Sequence, residues 1–321
     1  MKYLEVSADG DGYRCVLADA PIPVPRAGEV LVQVAASGVN RADLSQIAGH
    51  YPPPPGESDI LGLEVSGTLV ETGARVCALV AGGGFAEFVA VPRGQLLPVP
   101  GGVELARAAA IPEAFLTAFL NLSVEGGLER GGRALIHAGA SGVGLAAIAL
   151  ARYLGASAAA TSRNSAKLEA LRRAGAELAI DSSEKSFVDE VEARWGRDAI
   201  DVVLDPIGAG TLGDDLRVLR PGGRIVLIAT MSGAGVEIDL RKLMSKRARL
   251  IGSTLRSRSR EEKARLVERF RVEILPGFET GELRETVDST YPAARANEAF
   301  RRMKANLNVG KILIDWTQPS P

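Results

Sequence analysis

The stretch that most restricts how this chain can fold runs from Arg133 to Leu154, Arg-Ala-Leu-Ile-His-Ala-Gly-Ala-Ser-Gly-Val-Gly-Leu-Ala-Ala-Ile-Ala-Leu-Ala-Arg-Tyr-Leu. Ala134 to Ala138 reads as a buried strand, Gly139 to Gly144 as a glycine-rich turn, and the remainder as an apolar helix. That order opens a dinucleotide-binding βαβ unit. At such a turn an anion meets unpaired backbone N–H groups and the positive end of a helix dipole, and the missing side chains let it come close. The turn suits a diphosphate. With Gly139 and Gly144 as the outer glycines of the usual pattern, Ser141 stands at the middle one. Two other readings compete: a turn that only packs a helix on a sheet, and a nucleophile elbow at Ser141. The elbow needs a glycine where Val143 stands.

At 321 residues the chain exceeds the length at which one core usually stops growing, so two domains are expected. Lys and Arg total 38 against 39 Asp and Glu, and no basic block resembles a nucleic-acid arm or a polybasic membrane anchor. A small, uncharged partner is expected, with no nucleic acid and no membrane. Met1 to Val6 lacks the apolar core of a signal peptide, and no apolar run is long enough to cross a bilayer, which points to a soluble cytoplasmic protein. Cys15 and Cys77 are too few for a disulfide framework or a four-cysteine zinc loop. Of the two histidines, His50 and His137, the second lies inside an apolar strand and reads as a core residue. This inventory assembles no metal site.

From Met1 to about Ala110 the sequence shows short strands broken by glycine and proline. Glu29 to Val34 places Val30, Val32 and Val34 on one face, and Leu61 to Val70 and Phe85 to Val91 behave similarly. Residues 1–113 therefore read as a mostly β domain. Pro52 to Pro55 make Gly49 to Gly56 an ordered extended loop that holds Tyr51 in place. After Pro112 the pattern changes, with a helix at Ala114 to Leu122 and a second domain over residues 114–252. Strands are expected at Ala134–Ala138, Ala156–Thr161, Leu178–Ile180, Ile200–Leu204, Arg224–Ala229 and Arg249–Ser253. Helices alternate with them, Ser165–Ala174 stopping at Gly175 and Phe187–Trp195 before Gly196. Alternation of this kind predicts an α/β domain with a doubly wound parallel sheet. Residues 253–321, with helices at Arg260–Ile274 and Ala293–Ala305 and a last strand at Lys311–Ile314, are too few for a third domain. They are expected to complete the first domain, leaving a cleft between the two bodies.

Several segments jointly resemble the quinone oxidoreductase branch, with zeta-crystallin, of the medium-chain dehydrogenase/reductase superfamily. They are Val39 to Asp43, Gly49 to Pro54, Leu61 to Glu64, Gly82 to Glu87, Ala110 to Glu113, His137 to Gly144 and Asn308 to Lys311. Within that branch the chain is similar to the tumour-suppressor-inducible subgroup, whose Leu-Arg-Ser-Arg recurs at Leu255 to Arg258. The resemblance implies a GroES-like catalytic domain enclosing a Rossmann domain, NADPH in the cleft, and hydride transfer without zinc. The two loops that carry cysteine and histidine ligands in zinc alcohol dehydrogenases read Asn40 to Asp43 and Leu61 to Glu64 here. One departure is the short Glu71 to Cys77 connection.

An NAD-binding unit normally ends its second strand with a carboxylate, whereas this chain has Thr161-Ser162-Arg163-Asn164. Arg163 can fork onto a 2′-phosphate, Ser162 can donate a hydrogen bond, and Lys167 one turn into the helix adds charge, which favours NADPH over NADH. The competing reading is that Arg163 and Lys167 only solvate the helix start. The diphosphate falls to Gly139, Ala140, Ser141, Gly142 and Val143. Position and resemblance together add Thr117 near the nicotinamide, the strand ends Asp205 and Ala229 to Met231, and Thr254, Leu255, Arg256 and Asn308 closing the cleft. Asp205-Pro206 reads equally as a strand terminator, and Arg256 to Arg260 as a solvated face.

Tyr51 is the candidate for orienting the acceptor oxygen or donating a proton, with Asn40 and Asp43 shaping the loop beneath it. Tyr51 reads equally as a packing aromatic, and Asp43 better as a structural cap. The expected activity is NADPH-dependent reduction of a quinone or other conjugated carbonyl. The alternatives are an enone, enoyl or alkenal reductase acting on C=C, and an NADPH-binding protein with little turnover. The strand Arg249–Ser253 should lie at the sheet edge, where a second copy can pair with it to give a homodimer.

Overall fold

The structure is a computed structural model and describes residues 1–318. Two compact units emerge: Met1–Leu116 with the chain from Leu255 onward, and Thr117–Thr254. The first opens with an antiparallel hairpin, β1 (Lys2–Asp9) and β2 (Gly12–Asp19), that the sequence did not announce. Next comes β3 (Glu29–Val39), whose alternation puts Val30, Val32 and Val34 inside at 5% exposure or less. A short helix α1 (Arg41–Ile47) follows, then β4 (Glu64–Leu69), β5 (Arg75–Leu79), β6 (Phe88–Pro92) and β7 (Leu96–Pro98). β4 and β5 form a hairpin whose tight turn accommodates the short connection noted above, with Leu69 N–H donating to Ala74 O. β-branched valines fill many of the inward strand positions, as a half-buried pleated surface favours. Val32, Val34, Val65, Val76, Val89 and Val91 pack as one cluster.

The chain passes into the second unit within α2 (Pro112–Phe119), which continues as a π-helical turn over Leu120–Glu125. There the order is β8 (Arg133–Ile136), α3 (Gly142–Tyr153), β9 (Ser157–Ser162), α4 (Leu168–Ala174), β10 (Leu178–Asp181) and α5 (Phe187–Trp195). It continues with β11 (Ile200–Asp205), α6 (Leu212–Val218), β12 (Leu219–Leu227), α7 (Leu240–Ser245) and β13 (Arg249–Gly252). All pairings are parallel, in the order β10-β9-β8-β11-β12-β13. Strand order reverses between β8 and β11, so the turn after β8 stands at the switch point where this architecture binds ligands. α4 ends on Gly175 at φ 110, a left-handed cap that glycine adopts without strain. Leu135, Val188, Val191, Ile200, Val203, Leu216 and Ile225 bury the helix stripes against the sheet.

In the return segment, α8 (Arg260–Glu273) starts from a Ser259/Glu262 capping box and runs into α9 (Leu275–Glu279). The last elements are β14 (Val287–Pro292), α10 (Ala296–Lys304) and β15 (Lys311–Asp315). β15 pairs with β3, so this segment joins the first unit's sheet, β14-β15-β3-β4-β5-β7 with β6 also on β3. α10 drives Phe300, fully buried, edge-on against Phe85. The architecture is a GroES-like sheet domain with a doubly wound parallel-sheet domain.

Candidate active site

In the second unit, Ser141 caps α3, its hydroxyl accepting the Gly144 N–H at 3.0 Å. The N–H groups of Gly142 and Val143 in that first turn have no acceptor within the helix and point at whatever sits before it. Gly144 has a packing reason: a Cβ there would stand 2.5 Å from the Ala138 carbonyl oxygen and 2.7 Å from the Gly139 main chain. At Gly139 a Cβ would come within 2.9 Å of the Ala160 Cβ. Ala140 is buried, so it offers main chain rather than side chain. The packing role and the bared main chain at the start of α3 therefore coincide in the same glycines.

At the end of β9, Ser162 is buried, and its hydroxyl donates to Asn164 O and accepts from Asn164 N–H, both at 3.2 Å. That hydroxyl is engaged in a local turn. Arg163 is exposed just beyond. Lys167 closes a 3-10 turn, Ser165–Lys167, and stands at the N-cap of α4 rather than one turn inside it. Asn164 holds that turn by accepting the Ala166 N–H at 3.0 Å.

Asp205 is fully buried, accepting from Ile207 N–H at 2.6 Å, Gly208 N–H at 3.1 Å and Thr211 Oγ1 at 2.9 Å. Its carboxylate braces its own loop, as the strand-terminator reading expects. Ala229, Thr230, Met231 and Thr254 are exposed. The Thr117 hydroxyl is buried without a hydrogen-bond partner, an orphaned donor of the kind a ligand satisfies. His137 is a core residue, Nε2 2.8 Å from Asp215 Oδ1 and Nδ1 2.9 Å from Thr161 Oγ1.

In the first unit, the polar residues gather around Glu64, which is fully buried on β4. A Cβ at Gly38 would collide with its carboxylate, so the small residue on β3 makes the room. Glu64 Oε1 takes the Lys311 ammonium and the Asn40 amide at 3.1 Å, while Oε2 accepts the Glu113 N–H at 2.8 Å at the start of α2. Lys311 also donates to Val39 O at 3.0 Å and Asn40 Oδ1 at 2.5 Å. Asp43 Oδ2 accepts the Asn40 N–H at 2.7 Å, completing a capping box on α1. Asp43 is thus a cap, as its residue type foretold.

Tyr51 is half-buried, with the Arg256 guanidinium 5.3 Å from its ring centroid and Arg256 Nη1 donating to its carbonyl at 3.0 Å. Arg256 is 5% exposed, which overturns the solvated-face reading for that residue, although Arg260 does lie outward, paired with Glu29 and Glu57. Leu255 packs its side chain inside. Asn308 is buried, and its amide donates to Gly310 O at 2.7 Å, a brace for the turn before β15. Sequence reasoning missed Glu113, Lys263 and Lys311 as site residues. The available signal was a charge set in apolar surroundings, as at Glu64 and Lys311.

Three comparisons bear on this arrangement. The alcohol dehydrogenase GroES-like domain family matches residues 26–101, and the zinc-binding dehydrogenase family matches residues 142–271. The chain is 29% identical to a quinone oxidoreductase of Lama guanicoe, covering 92% of each. It is 35% identical to a spectinabilin polyketide synthase protein of Streptomyces orinoci, over 96% of this chain but 14% of that protein. Among solved structures, the quinone oxidoreductase of Thermus thermophilus, studied also in complex with NADPH, superposes with a TM-score of 0.85 at 34% identity, covering 98% of this chain and 100% of the other.

Burial dominates the electrostatics of the first unit's cluster. It pushes the Asp43 carboxyl up to about 7 against the opposing pull of the Asn40 hydrogen bond and Lys311. Glu113 is pushed up to about 8, first by burial and then by the Glu64 charge. Tyr51 rises to about 12 through burial and the Glu113 charge. Because the folded chain holds the Glu113 proton more tightly than the unfolded one, its contribution to stability is full at acid pH and fades as pH rises through about 8. Glu113→Gln should therefore gain in melting temperature relative to the wild type as pH is raised from about 5 to about 8, in a thermal-melt series. Asp43 leaves the variant some pH dependence; parallel curves for the two proteins would contradict the assignment.

Proposed function

Because this chain belongs to the quinone oxidoreductase branch of the medium-chain dehydrogenase/reductase superfamily, and is therefore an oxidoreductase, we propose that it is an NADPH-dependent, zinc-independent reductase of quinones or other conjugated carbonyls. The observation that carries the reading is the end of β9, where exposed Arg163 stands in place of a carboxylate, beside a glycine turn whose helix N–H groups face outward. The solved Thermus thermophilus relative in complex with NADPH supports the same nucleotide.

NADPH, when bound, supplies a hydride from nicotinamide C4. Gly139 to Val143 would hold its diphosphate on main-chain N–H groups, Arg163 and Lys167 its 2′-phosphate, and the orphaned Thr117 hydroxyl its nicotinamide end. Ala229, Met231 and Thr254 are proposed to contact it beside these. Tyr51 orients the acceptor oxygen, on a loop whose base is fixed by the Asn40 and Asp43 capping box. The zinc-independent reading rests on Lys311: its ammonium already neutralises the Glu64 carboxylate and fixes Asn40, at the two loops where zinc relatives carry ligands.

The decisive experiment follows NADPH absorbance with a panel of quinones, 2-alkenals and enoyl thioesters. Quinones are expected to oxidise NADPH fastest, and Tyr51→Phe to lower that turnover about tenfold or more with little change in NADPH affinity. Oxidation by alkenals or thioesters alone moves the acceptor to a C=C bond; tight NADPH binding with no acceptor at all overturns the reductase reading. Arg163→Glu should raise the KM for NADPH by more than about tenfold and improve use of NADH. Unchanged use of both would remove Arg163 from the site.

We also infer a cytoplasmic homodimer joined through β13. That strand ends the six-stranded sheet and keeps Leu250 40% exposed, and Val236, Leu240 and Met244 remain outward at 44%, 61% and 68%. An unpaired edge beside exposed apolar side chains suits pairing with a second copy. No helix among the described residues is long and apolar enough to cross a membrane. Sedimentation at micromolar concentration should give the mass of two chains; one chain's mass would end the dimer reading.

A further inference from the structure

Arg256 is almost wholly buried, yet one arm of its guanidinium is left over. Nε donates to Ala81 O at 2.8 Å and Nη1 to Tyr51 O at 3.0 Å, while Nη2 is buried with no acceptor. Asp43, Glu113 and Glu57 lie near enough to favour its charge, but none takes a hydrogen bond from Nη2. Lys263, 4% exposed on α8, adds a second cation close enough to repel it. Two buried cations, one with an unpaired N–H donor, thus stand by Tyr51 in a poorly hydrated spot. An ionised donor kept dry and unbonded is costly, and the cost is recovered when a ligand oxygen completes it.

We propose that Nη2 of Arg256 receives the carbonyl oxygen of the substrate, the atom that gains negative charge as hydride arrives. This rests on the reductase reading above and names the group that stabilises its charge. In the step, the C4–H bond of NADPH breaks with its electron pair, and a C–H or, for a quinone, an O–H bond forms on the acceptor. The displaced π pair settles on the carbonyl oxygen as an enolate or hydroquinone anion, which a solvent proton then neutralises, and the nicotinamide is left oxidised. A fixed cation helps only if it stands where negative charge develops. Placed against the nicotinamide instead, it would oppose the positive charge forming there. The hydrogen bond to Tyr51 O and the ring contact aim the guanidinium at the residue already assigned to the acceptor.

A phenolate imitates that oxygen without turnover. Absorbance titration of 4-nitrophenol into protein saturated with NADP+ reports the ionisation of the bound probe. Wild type should lower the probe's apparent pKa by about one unit or more, a tenfold shift in its ionisation. Arg256→Met should abolish the shift and Arg256→Lys restore part of it, with NADPH affinity, read from nicotinamide fluorescence, unchanged within about twofold. Quinone turnover should fall about a hundredfold in Arg256→Met. If thermal unfolding shows that Arg256→Met does not fold, Arg256→Lys carries the test, because it keeps the buried charge and loses the fork.

The proposal is overturned if wild type leaves the probe neutral or if Arg256→Met retains the shift. It is equally overturned if the variants lose NADPH affinity while holding the phenolate, which would give Nη2 to the cofactor. Quinone turnover indifferent to Arg256 sinks this assignment alone. An Arg256-dependent phenolate with no reducible acceptor sinks the reductase reading and leaves Arg256 as an oxygen-binding residue.

Discussion

The first unit depends on one buried carboxylate. Glu64 binds a lysine from the last strand, an asparagine at the cap of α1 and the main chain at the start of α2, three segments far apart in sequence. A carboxylate this dry is stable only with its charge matched and its lone pairs used, and removing one partner of such a pair typically costs about 3–5 kcal/mol. The requirement runs backwards into the chain. It explains why position 38 has no side chain, why Lys311 sits at the head of an apolar strand, and why Asn40 caps a helix without leaving the cluster.

The second unit meets a different requirement, closing a strand, a turn and a helix on one another with no charged side chain in the turn. Gly139 and Gly144 let strand, turn and helix close on one another, and the same bareness opens the helix start. Asp205 and His137 stand behind this turn and belong to its support. One braces the loop after β11, and the other ties β8 to β9 and α6 through both ring nitrogens. Within the turn itself only main chain is presented, and the hydrogen-bonded side chains stand outside it.

Periodicity made much of this legible. Val30, Val32 and Val34 announced β3, Phe187 to Trp195 announced α5 to the residue, and the alternation of apolar strands with amphipathic helices announced the parallel sheet with its last strand at an edge. What stayed hidden is what only three-dimensional closure creates. Glu113 and Lys311 are 198 residues apart and meet through Glu64, so no local pattern records their partnership. Ser162 and Asp205 look like ligand groups in a sequence because their types are right and their places are right. Only the hydrogen bonds show that they are already engaged. The π-helical turn after α2 and the opening hairpin carry no strong sequence mark either.

Arg256 grips the Tyr51 loop by a main-chain oxygen, which every residue type possesses, rather than by the phenol. That hydrogen bond survives a change of side chain at 51, which forfeits only the ring contact with the guanidinium. A lineage could exchange that aromatic for a smaller or less polar group and change which molecules are admitted, while the loop itself stayed where it is. Shape and selectivity are held by separate atoms, and so are free to evolve at separate rates.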